Sequence, residues 1–306
     1  MRVAQLLAAV AFASTLPARL PAQERTRLDT TVRLNLRGTV DLSLMAGKIT
    51  VRGWDQSDVK VAASAEKGAA LRFYATSGRV TLRAEQTDRR RGGIARFDVM
   101  VPRGARLRLQ AASGDIASSG SQGEISATTV SGALDVSDGR RIVGLESVSG
   151  NVKASQIVGD LRAQNVSGGV RAENITGRVE VWTITGPIRL IGLRANDIHT
   201  ESVRGGIVYA GPVATGGTYD FQSHSGTIRL AIPSTTSARF RLETVRGGVQ
   251  SDFPVQSATA APARNAGRVE FMMGDGRAEV IARTFSGGIL IKSDAGNSLS
   301  ALPVSK

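Results

Sequence analysis

The side chains that could do chemistry in this chain are few. There are two histidines, His199 and His224, and no cysteine, so neither a Cys-rich nor a His-rich zinc site can be built and no disulfide can form. Ser223 and Ser225 flank His224, yet no GxSxG nucleophile turn occurs anywhere. Carboxylates offer more. Glu124, Asp160, Glu180 and Asp197, with Glu146 and Glu201 nearby, fall on one side of a recurring pattern, and two carboxyl groups about 5 to 9.5 Å apart are what glycoside hydrolysis requires. Arg162 and Arg178 stand at matching places beside Glu180 and Asp160, however, so cross-strand ion pairs explain the same residues without an acid and a base.

Two further groups point to binding. Trp182 sits at an outward place between Gln164 and Glu201, where an indole can stack on a sugar ring. Arg89, Arg90 and Arg91 form a run expected on an exposed loop, and each guanidinium can grip a phosphate or carboxylate through two parallel hydrogen bonds. They lie in the most basic third of the chain: residues 24–112 hold 18 basic and 9 acidic side chains, whereas residues 113–206 hold 9 and 10. That field would draw anionic envelope polymers.

The elements that must carry these residues follow from a nine-residue unit that repeats from Gly114 to Gly205, as in GNVKASQIV, GDLRAQNVS, GGVRAENIT and GRVEVWTIT. Glycine opens eight of its ten copies. A unit this short cannot bury its own apolar face and must stack on its neighbours. Its third, fifth and eighth residues are small or branched and apolar, as in Val152, Ala154 and Ile157; alternation of this kind is that of a half-buried strand and not of a helix.

Ser131, Ser149, Ser167 and Thr185 precede every second glycine, eighteen residues apart. The fold expected is therefore an all-β parallel β-solenoid with coils of about 18 residues, right-handed by the usual crossover preference. Residues eighteen apart should stack about 4.8 Å from one another. This predicts one inner line of Leu134, Val152, Val170, Ile188 and, after a one-residue insertion, Ile207. A second line holds Ile125, Val143, Leu161, Val179 and Ile198, with Ala127, Leu145, Ala163 and Val181 beside it. Thr129, Ser147, Asn165, Thr183 and Ser202 form a stacked polar line whose side chains can bond backbone groups at a corner. The glycine-rich nonapeptides of calcium-loaded β-rolls place an aspartate in each turn, and that aspartate is missing from nearly every unit here.

Residues 1–23 read as a secretory signal peptide, with Arg2, an apolar run from Val3 to Leu16 and a small-residue cleavage site near Ala22 or Gln23. No later segment is apolar enough for a membrane helix. The expectation is a single solenoid domain over residues 24–293, with longer coils at 28–112 and 207–293 around the regular repeat at 113–206, and a tail at 294–306. Gly53, Trp54 and Asp55 read as a turn whose indole covers the exposed end of the core. SATAAPARNAGR reads as an excursion loop, and RAEVIARTFSGGILIKS as the last strand pair, closing the core.

The repeat VSGNVKASQIVGDLRAQNVSGGV, the opening GKITVRGWDQSDVKVAA and the closing EVIARTFSGGILIKS resemble the bacterial putative-adhesin family, over roughly residues 28–293. The resemblance implies a β-solenoid domain of unknown function in an exported or envelope protein, and it brings no catalytic residues. The reading is of a non-enzymatic binding or scaffolding module, exported to the periplasm or cell surface. It has no cofactor or metal, and its partners are anionic envelope polymers or glycans rather than nucleic acid. The alternative is a polysaccharide-active β-helix enzyme, a lyase or glycosidase.

Overall fold

Each nonapeptide forms one short strand, and successive strands fall alternately on two faces. The first face carries Ile125–Ser131, Val143–Ser149, Leu161–Ser167, Val179–Thr185 and Asp197–Arg204; the second carries Leu134–Ser137, Val152–Val158, Val170–Thr176, Ile188–Ile191 and Ile207–Ala210. The computed structural model describes residues 26–87, 92–254 and 267–294, and no helix occurs among them. Neighbours on each face are parallel and in the register of the eighteen-residue period: Val152 lies between Leu134 and Val170, and Leu161 between Val143 and Val179. Ile188 pairs with Ile207 and Val179 with Ile198, so the single insertion is absorbed between them. The chain is an all-β parallel solenoid.

Both predicted apolar lines are buried, every member at 0–1% exposure, and they belong to one core cluster that runs from Leu28 to Ile291. Burying a Val, Leu or Ile is worth roughly 1.5 to 3 kcal/mol, and every coil contributes several, so the coils hold one another by a continuous apolar seam. Toward the C-terminal end the coils lengthen and aromatic residues fill the wider interior: Tyr209, Tyr219, Phe221 and Phe240 are fully buried. The Tyr219 hydroxyl donates to Ala195 O at 2.6 Å and accepts from Ala214 N–H at 2.7 Å, and that of Tyr209 donates to Pro212 O.

Glycine at one corner is a packing requirement. A Cβ on Gly150 would lie 2.0 Å from Gly132 O, one on Gly168 2.1 Å from Gly150 O, and one on Gly186 2.2 Å from Gly168 O. The same contact links Gly47, Gly114, Gly132, Gly150, Gly168, Gly186, Gly205, Gly226, Gly287 and Gly247 in spatial order, each approaching the carbonyl of the one before. Several of these residues also hold φ near +140°, as Gly132 and Gly150 do, a region that costs only glycine nothing.

That order departs from the order of the sequence at both ends. The long strand Thr39–Trp54 bends at Gly47 to serve both faces, and it lies between Arg106–Ser119 on one side and the pair Arg79–Gln86 and Ala95–Pro102 on the other. At the C-terminal end Ala278–Ser286 and Ile289–Ser293 insert between Thr218–Ser225 with Ile228–Ile232 and the outermost coil, Ala238–Arg246 with Val249–Ser251. The last strand pair therefore does not close the core, as its place in the sequence implies; it is an inner coil.

Trp54 does not cover the end either. It pairs with Pro102 inside the stack and its indole N–H donates to Asp58 O at 2.7 Å. Antiparallel strands do the capping. Asp58–Ala65 and Arg27–Arg33 extend the second face and Ala69–Ala75 the first, and Gly267–Met273 covers the first face at the far end. Reversing direction at the edge breaks the parallel ladder that another chain could extend.

Candidate functional site

The second face bends where the first does not. In both kinds of unit the seventh residue precedes a branched apolar residue, save Asp138, which precedes Gly139, but on the second face the seventh place holds Asp138, Gln156, Asn174 and Gly192, all with φ between +53° and +64°. That left-handed step turns the eighth residue inward, and Ile157, Ile175 and Leu193 are fully buried. The corresponding residues of the first face are Thr129, Ser147, Asn165, Thr183 and Ser202, short polar side chains that point in and are 95% or more buried. The strand keeps its alternation there, so the eighth residue points out. Val130, Val148, Val166, Ile184 and Val203 form an aliphatic column, each 40–54% exposed.

The inward polar line serves the corner as the sequence indicates, but unevenly. Thr129 Oγ1 donates to Gly114 O at 3.1 Å and Asn165 Nδ2 to Gly150 O at 2.8 Å, and Ser223, Thr244 and Thr284 continue the pattern. Ser147, Thr183 and Ser202 have buried hydroxyls with no partner among the described residues.

Between the aliphatic column and the outward sixth residues runs a groove of about 440 Å³ that crosses five coils. Val130, Val148, Val166, Ile184 and Val203 make one wall; Thr128, Glu146, Gln164, Trp182 and Glu201 make the other. Trp182 pairs in register with Gln164 and Glu201, as its spacing predicts. It stands in a groove rather than on an open flat face and is half-buried. The Arg162 guanidinium lies 5.6 Å from the ring centroid and the His199 ring 6.1 Å away, so a cation–π contact helps hold the indole in place.

The remaining candidates are dispersed or engaged in pairs. Arg162 bonds Glu180 at 2.6 Å and Arg106 meets Glu124 at 3.0 Å. Arg178 pairs with Asp197 at 2.9 Å rather than with Asp160, whose carboxylate instead accepts the Arg178 backbone N–H at 3.1 Å. These exposed pairs are each worth about 1 kcal/mol or less. His199 Nδ1 lies 3.5 Å from Asp220, while His224 stacks flat on Phe285 at 5.0 Å, further along the aliphatic column. Among the described residues no three His, Asp or Glu side chains converge to hold a metal. Arg89, Arg90 and Arg91 lie outside the described residues, as do residues 1–25, which include the segment that reads as a signal peptide, residues 255–266, which hold most of the expected excursion loop, and residues 295–306.

Among the described residues only Glu146 and Glu201 bring charge to the groove. They stand three coils apart, about 14 Å at the usual strand spacing, beyond the 5 to 9.5 Å over which two carboxylates share one glycosidic bond. The arrangement fits holding an extended molecule, with an aliphatic rail on one side and an indole, amide and carboxylates on the other. The sequence singled out Trp182 but not the aliphatic column. The signal for it was the seventh residue of each unit, short and polar on one face and of a left-handed-prone type on the other.

No curated protein matches the chain in sequence. Among solved structures it is similar to a putative cell adhesion protein from Clostridium sporogenes, at 12% identity and a TM-score of 0.26 over 88% of this chain and 100% of that one. It is also similar to a putative adhesin from Bacteroides fragilis, at 10% identity and a TM-score of 0.37 over 89% and 99%. The model of the Toastrack DUF4097 family, a domain of unknown function, matches residues 40–292, nearly all of the coil stack described above, and the chain belongs to that family.

Proposed function

We propose that the chain is an exported, non-enzymatic binding module of the bacterial cell envelope, and that it holds a linear glycan along the groove beside Trp182. The observation that carries the reading is the groove itself, a channel whose aliphatic wall repeats once per coil over five coils and faces the Trp182 indole. A pyranose ring with its glycosidic oxygen advances a chain by close to one strand spacing, about 4.8 Å, so successive rings meet successive residues of the aliphatic wall. An extended peptide fits less well, since side chains on one of its edges recur every 6.5 Å or so, about twice the rise per residue. The wide separation of Glu146 and Glu201 supports binding without cleavage. Export rests on the signal-like first 23 residues.

Fluorescence titration tests the reading. The chain has two tryptophans, so a Trp54→Phe background leaves Trp182 as the sole reporter. Emission should shift on adding envelope-type hexasaccharides and not on adding the monosaccharides, and a reducing-sugar assay on the same mixtures should stay flat. Emission unchanged across the oligosaccharides would remove the glycan, and new reducing ends would restore the enzyme.

A further inference from the structure

Resting on that reading, we infer that the groove selects glycans bearing positively charged amino groups and rejects acidic ones. Among the described residues several carboxylates of this face are ion-paired, while Asp160 accepts a backbone N–H instead. Glu124, Glu180, Asp197, Glu243 and Glu279 each face an arginine within 3.8 Å. Glu146 and Glu201 make no ion pair among the described residues, in a chain whose formal charge is +13. Their neighbours in register explain why. Glu146 lies between Thr128 and Gln164, and Glu201 between Trp182 and Gln222, so no cation stands beside either on its own column. The Arg162 guanidinium, on the adjacent column, is committed to Glu180 and the Trp182 ring.

Among the described residues these two carboxylates are the only charged side chains lining the groove. A bound polymer that covers the aliphatic rail therefore passes two open negative charges three coils apart, with the Trp182 indole between them. Ammonium groups on the sugar rings supply the missing cations. Carboxylate or phosphate groups would be set against like charge in a partly desolvated channel, where repulsion is screened less than in open water. The anionic polymers that the arginine-rich N-terminal third would attract are thus disfavoured in this groove.

The test compares three hexasaccharides on the mature full chain at mildly acidic pH and low salt: β-1,4-linked glucosamine, its fully N-acetylated form, and oligogalacturonate. The glucosamine hexamer should bind about fivefold more tightly than the acetylated one, as two modest exposed ion pairs allow, and oligogalacturonate most weakly. Glu146→Gln with Glu201→Gln should erase the preference, bringing the glucosamine and acetylated hexamers to the same affinity. If the three ligands bind alike, or the acidic one best, and Trp182→Ala still abolishes binding, the charge selection is wrong and the groove reading stands. If no hexamer binds, or binding ignores Trp182→Ala, both fall.

Discussion

Ile157 and Val166 both stand eighth in a nine-residue unit, and they point in opposite directions: Ile157 is fully buried, whereas Val166 is 42% exposed. The difference lies one residue earlier. Gln156 holds φ at +55° and turns the chain inward, whereas Asn165 points into the corner and bonds Gly150 O, leaving Val166 outside. The same substitution at the two places should therefore have unlike effects. Ile157→Asp gives up roughly 1.5 to 3 kcal/mol of burial and adds the cost of a charge with no partner, and thermal unfolding should show a large loss. Val166→Asp should stay within about 0.5 kcal/mol while disturbing the aliphatic rail. Equal losses in melting temperature would contradict the outward rail.

How much of this was legible in the sequence follows from the same two residues. The period, the two inner lines and the one-residue insertion are composition patterns, and side chains eighteen apart meet in the structure as the spacing requires. The direction of Val166 depends on a backbone torsion at its neighbour. Gln156 gives little sign of that torsion by residue type, although Asp138, Asn174 and Gly192 in the same column do. The exchanged coils at the ends were not legible at all, because Ala278–Ser286 carries the same alternation wherever it is inserted. The contact of Gly287 with Gly226 O and of Gly247 with Gly287 O is what fixes its place.

The glycine corner gives a test that needs no assumption about function. A Cβ on Gly150 would fall 2.0 Å from Gly132 O at a φ of +141°, and the atom it meets is backbone of the neighbouring coil, which cannot swing aside. Gly144 lies within the same repeat, and a Cβ there meets nothing nearer than Ile125 O at 3.9 Å. Gly150→Ala should cost several kcal/mol, since overpacking of about 1 to 3 kcal/mol adds to a strained φ. Gly144→Ala should be neutral or slightly stabilising, through a less flexible unfolded chain. Chemical denaturation of the two variants beside the parent measures the contrast, and similar midpoints for both would refute the ladder.

The aromatic layer at the C-terminal end sets how the fold responds to alkali. Burial pushes the Tyr209 phenol well above the ordinary tyrosine value, and that of Tyr219 upward as well, because the phenolate would be stranded in the core. In the unfolded chain both titrate near 10. Stability from these groups is therefore complete below about pH 10 and is lost as the pH rises beyond it, where the unfolded state sheds protons that the folded state keeps. Melting temperatures followed from pH 8 to 11.5 should fall steeply above about 10. Tyr209→Phe should flatten that fall, while losing about 1 kcal/mol at neutral pH with the bond to Pro212 O. An alkaline slope unchanged by Tyr209→Phe would show that the layer opens to water before its phenols ionise.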